Sequence, residues 1–232
     1  VNDKLAKKLQ EATEGYQNIE VVTVPDAYPM GWERVLIREL FKKEYEKFPG
    51  EIGIIVNNAT TAIYLSEALR DKKPITHRIV TISGEGVKNP ENVYVPIGTS
   101  VDYIIEKIGG YTDNVNEMFV LGGGPMMGKS IANDTFVVTT YSNSITVLPK
   151  VVEEELPCLR CGLCIEHCPA KIQPVQIMNL EKQKNTEGVI EARADKCITC
   201  GLCTYICPSK IEVTDWVGKA KTRVSNARKA GK

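Results

Sequence analysis

C-L-R-C-G-L-C-I-E-H-C-P at 158–169 and C-I-T-C-G-L-C-T-Y-I-C-P at 197–208 are two copies of one pattern, C-x2-C-x2-C-x3-C-P. Together they contain all eight cysteines of the chain. The copies are offset by 39 residues, and the likeness runs on through A-K-I against S-K-I. Gly162 and Gly201 fall at matched positions, where a side chain would crowd any close approach of backbone. Structural zinc takes four ligands, usually in two pairs rather than in triplets with a trailing C-P. A disulfide framework suits a small secreted domain, whereas this chain has 232 residues and its opening, from Val1, reads as helix rather than as a secretory signal. Both alternatives are therefore weaker than a pair of inorganic clusters.

The spacing is similar to that of bacterial two-cluster ferredoxins, in which three thiols of a run hold one cluster and the fourth, before proline, ligates the other. On that pattern Cys158, Cys161, Cys164 and Cys207 hold one [4Fe–4S] cluster, and Cys197, Cys200, Cys203 and Cys168 hold the second. Thiolates and exposed clusters oxidise readily, so a reducing, cytoplasmic setting is expected.

Composition removes several other functions. Twenty-nine basic and 29 acidic residues give a formal net charge of zero, which leaves no global basic field for nucleic acid. No apolar run approaches the roughly 18–20 residues needed to cross a bilayer. The chain begins at Val1 rather than at methionine and reads as a fragment or processed product.

Ahead of the cysteines the pattern is mixed α/β. Residues 1–73 read as a partial Rossmann-like α/β domain. Helices are expected over 3–14, from Trp32 with Val35, Leu36, Leu40 and Phe41 on one face, and over 60–70; buried strands are expected at 19–24 and 52–56. Residues 74–150 read as an α+β unit of β-grasp, soluble-ligand-binding type. Its strands fall at 77–83, 92–96, 117–121, 135–139 and 144–148, around a helix over 100–108 that gathers Val101, Ile104, Ile105 and Ile108. Residues 151–232 form the two-cluster domain. The 28 residues between Cys168 and Cys197 carry the helical pattern Val175, Met178, Asn179 and Lys182, which predicts a mainly helical ferredoxin domain.

G-G-P-M-M-G-K-S at 123–130 satisfies the phosphate-loop pattern G-x4-G-K-[S/T]. A phosphate loop must feed a substantial helix whose N-terminus holds the anion, yet the next strand is expected a few residues on. Pro125 also removes an amide from the cradle. The stretch is better read as a tight connection. His167 beside Cys168 is read as structural or as a hydrogen-bonding neighbour of a cluster, and His77 has no evident partner. No nucleophile–base set is available, since every cysteine is committed. The tail from Ser209 holds seven basic and two acidic residues, a solvated helical face in the first instance and a docking face in the second.

With the parts in order, the chain resembles the C subunit of the Rnf electron-transport complex and its Rsx counterpart. The likeness rests on Y-P-M-G-W-E-R at 28–34, V-T-I-S-G-E-G-V-K-N-P at 80–90, G-G-P-M-M-G at 123–128 and both cysteine motifs. It implies a flavin- and NADH-binding domain, a soluble-ligand-binding β-grasp module and a dicluster domain. Electrons would pass between NADH and a ferredoxin-type carrier, on a peripheral subunit at the cytoplasmic face of a membrane complex, with the other subunits of that complex as partners. The family's glycine-rich flavin loop, G-G-A-G-F-P-T-like, is absent from these residues. FMN and NADH are accordingly expected only with the full-length protein, and this chain alone is not expected to be catalytic. Met30-Gly31-Trp32-Glu33 stands where the family usually has Q-G-x-E. That departure leaves a soluble relative serving a cobalamin or proline reductase as the alternative. A docking scaffold with structural clusters is a third reading.

Overall fold

The helical spacing of Leu5, Leu9 and Ala12 produces α1 (Asp3–Thr13), the first element of a chain that divides into two compact units, 1–62 and 63–232. This is a computed structural model, and it describes residues 3–113, 115–131, 135–151 and 153–230.

In the first unit, α2 (Glu33–Phe41) buries Val35 and Ile37, whereas Leu40 and Phe41 of the expected face are exposed. The returning chain is pinned over the first turn of α2, so it covers that turn and leaves the last one open. Arg34 donates through Nη1 and Nη2 to the carbonyls of Tyr45 and Glu46 at 2.7 and 2.9 Å. Its guanidinium carbon stands 4.0 Å from the Tyr45 ring centroid, and the Tyr45 hydroxyl donates to Glu33. A 3-10 turn (Pro49–Ile52) follows, and α3 (Ala59–Asp71) begins at the end of this unit.

The strands expected at 19–24 and 52–56 do not form; the first ladder of the described residues begins at His77. A buried strand is stabilised by neighbours that complete its hydrogen bonds and cover its side chains. Without them Val22 and Ile55 remain 52% and 81% exposed.

The second unit contains a five-stranded mixed sheet. Its strands are β1 (His77–Ser83), β2 (Glu91–Pro96), β3 (Met118–Gly122), β4 (Lys129–Ser130) and β5 (Ser144–Pro149), in the order β2-β1-β5-β3-β4. β1 and β5 are parallel and the other three pairings antiparallel. Period-two alternation sends Val80 and Ile82 inward and leaves Ile79 and Thr81 outside. Against that face packs α4 (Val101–Lys107), whose Val101, Ile104 and Ile105 are buried with Ile145 and Val147 of β5.

The strand expected over 135–139 is reduced to one bridge, Ser100 with Val137. Its backbone groups go instead to the entrance of α4: Val101 N–H donates to Phe136 O at 2.9 Å and Val138 N–H to Thr99 O at 2.8 Å. The motif at 80–90 proves to be architectural. Gly84, at φ +106°, lies so close to β5 that a Cβ there would stand 2.0 Å from Val147 O. Asn89 of the same motif caps α4 through Nδ2 to Ile108 O at 2.7 Å.

The C-terminal part is helical, as the spacer pattern predicts. It comprises α5 (Leu163–Glu166), α6 (Pro174–Lys182), α7 (Thr186–Glu191), α8 (Leu202–Tyr205) and α9 (Val213–Ala230). Ile177, Met178, Val189, Val217, Ala220 and Val224 close a core between α6, α7 and α9. Among the described residues no helix is long and apolar enough to cross a membrane.

Candidate metal centres

The two cysteine motifs fold as one local structure used twice. After each first cysteine the chain turns through a left-handed residue, Arg160 (φ 56°) or Thr199 (φ 52°), and its amide bonds back to sulfur. Arg160 N–H reaches Cys158 Sγ at 3.4 Å and Thr199 N–H reaches Cys197 Sγ at 3.3 Å. Gly162 and Gly201, at φ 82° and 83°, then start the short helices α5 and α8. This winding turns successive thiols toward one side.

Each motif faces a cavity that the other motif completes. One cavity is lined by Cys158, Cys161, Cys164 and Cys207, with Val175 and Ile211. The other is lined by Cys168, Cys197, Cys200 and Cys203, with Ile172 and Thr214. The thiols surround these spaces rather than meet at a point. Among the described residues, no three His, Cys, Asp or Glu side chains converge closely enough to hold a single metal ion. An all-sulfur donor set around a largely apolar hollow, with backbone N–H groups already aimed at sulfur, fits a cubic iron–sulfur cluster.

The two sites differ in their surroundings. Cys158 and Cys161 are exposed, whereas Cys200 is buried. Burial pushes the Cys197, Cys200 and Cys203 thiols up, Cys203 to about 12, and it raises Cys164 as well. As free groups these are protonated thiols; binding iron would ionise them by supplying the compensating charge. Gly201 lies against Met126, where an added Cβ would stand 2.4 Å from the carbonyl oxygen, while the matched Gly162 has nothing within 4 Å of such a Cβ. Cys203 Sγ is 3.2 Å from Thr214 Oγ1, a contact that comparing the two repeats in sequence could have flagged. Thr204 and Thr214 stand 39 residues after Ile165 and Val175.

Lys129 and Ser130 form β4 rather than the first turn of a helix, and Gly128 N–H closes onto Gly124 O at 2.7 Å. G-G-P-M-M-G-K-S is thus a strand connection. His167 Nδ1 lies 3.1 Å from Leu163 O within its own turn. His77 has a partner that the sequence did not name, stacking on Tyr94 with centroids 5.0 Å apart. Part of the basic tail is pinned inward. Arg223 pairs with Glu181 at 2.7 Å, Arg228 with Asp195 at 3.1 Å, and Lys221 Nζ donates to Cys197 O at 2.5 Å.

Three family profiles match in succession: the Nuo51 FMN-binding domain over 2–67, the SLBB domain over 79–130 and the 4Fe-4S dicluster domain over 157–211. Two [4Fe–4S] clusters are therefore cofactors of the C-terminal part. Among curated proteins, the C subunit of the ion-translocating oxidoreductase complex of Rhodobacter capsulatus is 35% identical over 168 residues, 70% of this chain and 32% of that protein. The protein of the same name from Yersinia enterocolitica is 33% identical over 175 residues, 73% of this chain and 25% of its own length. The chain thus spans about a third or less of these relatives. The order of the three matched domains and the identity across most of the chain agree: over most of its length the chain is similar to one part of the Rnf C subunit, the C component of the ion-translocating oxidoreductase complex.

Proposed function

We propose that this chain is an electron relay within an Rnf-type complex. Cys158, Cys161, Cys164 and Cys207 would ligate one [4Fe–4S] cluster, and Cys168, Cys197, Cys200 and Cys203 the other. The observation that carries this reading is the pair of thiol-lined cavities, each with three cysteines of one motif and the fourth of its partner. When bound, each cluster supplies one-electron redox chemistry. The chain contributes eight thiolates, backbone N–H donors to sulfur, and a buried setting for the second site. Cys168 and Cys207 tie each site to the opposite motif, which keeps the two side by side.

In this reading residues 74–150 are a β-grasp module, supported by the single helix α4 packed across a mixed sheet and by the SLBB match. Residues 1–73 belong to a partial Rossmann-like flavin domain, supported by the FMN-domain match, and residues 151–232 are the helical dicluster domain. FMN and NADH would be handled by the full-length protein, with electrons passing to or from a ferredoxin-type carrier. The other subunits of the complex, which the names of its relatives mention, would hold this one, and the site of that assembly in this reading is the inner face of the cell membrane. Anaerobic reconstitution should yield about eight iron and eight acid-labile sulfide per chain, with reversible reduction. A colourless protein that takes up zinc instead sinks the proposal.

A further inference from the structure

The two repeats surround their third cysteine differently. In the first, the backbone N–H of Val175 lies toward the Cys164 thiol and opposes the effect of its burial. In the second, the corresponding N–H, that of Thr214, is diverted to Thr204 Oγ1 at 2.9 Å. The Thr204 hydroxyl donates in turn to Thr214 Oγ1 at 3.0 Å, and Thr214 Oγ1 lies 3.2 Å from Cys203 Sγ. A hydroxyl carries one proton. Thr204 spends its proton on Thr214, so the Thr214 O–H is left to point at Cys203 Sγ. The matched positions in the first repeat, Ile165 and Val175, have no hydroxyl and cannot build this chain.

We propose that Thr204 and Thr214 form a two-hydroxyl relay that holds an oriented O–H dipole on Cys203 Sγ and so raises the reduction potential of the cluster ligated there. This rests on the ligand set proposed above. Reduction places one more electron on the cluster and its thiolates, and a donor to sulfur stabilises the more negative state. The proton stays on the Thr214 oxygen throughout. This site needs such a donor more than the other, because Cys200 is buried and Gly201 is covered by Met126, so solvent dipoles contribute less. Thr214 is a tuning residue; it ligates nothing.

The test is a potentiometric titration of the anaerobically loaded protein with dithionite, followed by electron paramagnetic resonance. Thr214→Val keeps the backbone N–H that bonds Thr204 and removes only the hydroxyl. One of two reduction steps should become about tenfold less favourable, equivalent to about 59 mV downward for one electron, while the other stays and iron content is unchanged. Thr214→Ser should restore the wild-type value. Thr214→Ala deletes the same hydroxyl without the valine's shape and reads the same shift if the valine protein loads poorly. Fully loaded variants with both steps unmoved, or both moved equally, overturn the relay alone. Wild-type protein that assembles no clusters overturns the ligand set, and the relay with it.

Discussion

Met126, in the connection between β3 and β4, closes over Gly201 at the mouth of the second cysteine motif: a Cβ at 201 would stand 2.4 Å from the Met126 carbonyl oxygen. The sheet module thereby meets the second motif at Gly201, whereas a Cβ at the matched Gly162 would have nothing within 4 Å.

Alanine at these two glycines should separate backbone strain from packing. Both sit at positive φ, so each substitution should cost about 1–2 kcal/mol from conformation alone. Gly201→Ala should lose a further 1–3 kcal/mol or so by overpacking against Met126, and its clusters should bleach faster in air. Equal thermal midpoints for Gly162→Ala and Gly201→Ala would show that the Met126 contact is immaterial.

The proposed crossing of the ligands makes a reciprocal prediction. Cys168→Ser should damage the cluster held with Cys197, Cys200 and Cys203, leaving roughly four iron per chain. Cys207→Ser should damage the other. Iron analysis with resonance spectra distinguishes the two, and loss of the Cys158, Cys161 and Cys164 site in Cys168→Ser protein refutes the crossing.

Arg223 on α9 grips both oxygens of the buried Glu181 on α6, at 2.7 and 2.8 Å. Removing only the arginine strands a buried carboxylate, which is worse than removing both charges. Arg223→Met should lower the unfolding midpoint, and Glu181→Leu in the same chain should recover part of the loss. A double variant less stable than Arg223→Met contradicts this account.

The first unit should soften at alkaline pH. Burial, then the hydrogen bond to Glu33, raises Tyr45 from 10.0 to about 12, against the opposing pull of Arg34. The folded state therefore favours the neutral phenol. Its contribution is fully present below pH 10 and is lost as pH rises through about 12. The stability difference between wild type and Tyr45→Phe should shrink across that window in denaturation series; a difference that stays constant there speaks against it.

What could be read from the chain by itself was whatever local chemistry dictates. The repeated spacing of eight thiols specifies paired sites, because cluster ligation constrains sequence separation directly. The helices carry their own hydrogen bonds, so apolar periodicity located α1, α3, α4 and α6 within a residue or two. The failure of a phosphate loop at 123–130 was legible too, from Pro125 and the lack of room for a helix.

Tertiary structure decided everything that depends on a distant partner. Strand-like runs at 19–24 and 52–56 are not strands, because a strand exists only where another completes its ladder. Segment 135–139 gave its backbone to the entrance of α4 rather than to the sheet. The two matched motifs became unequal only when folding laid Met126 over Gly201 and aligned Thr204, Thr214 and Cys203. The spacing of the thiols is a property of the sequence; the environment that tunes each site is assembled from residues far apart along it.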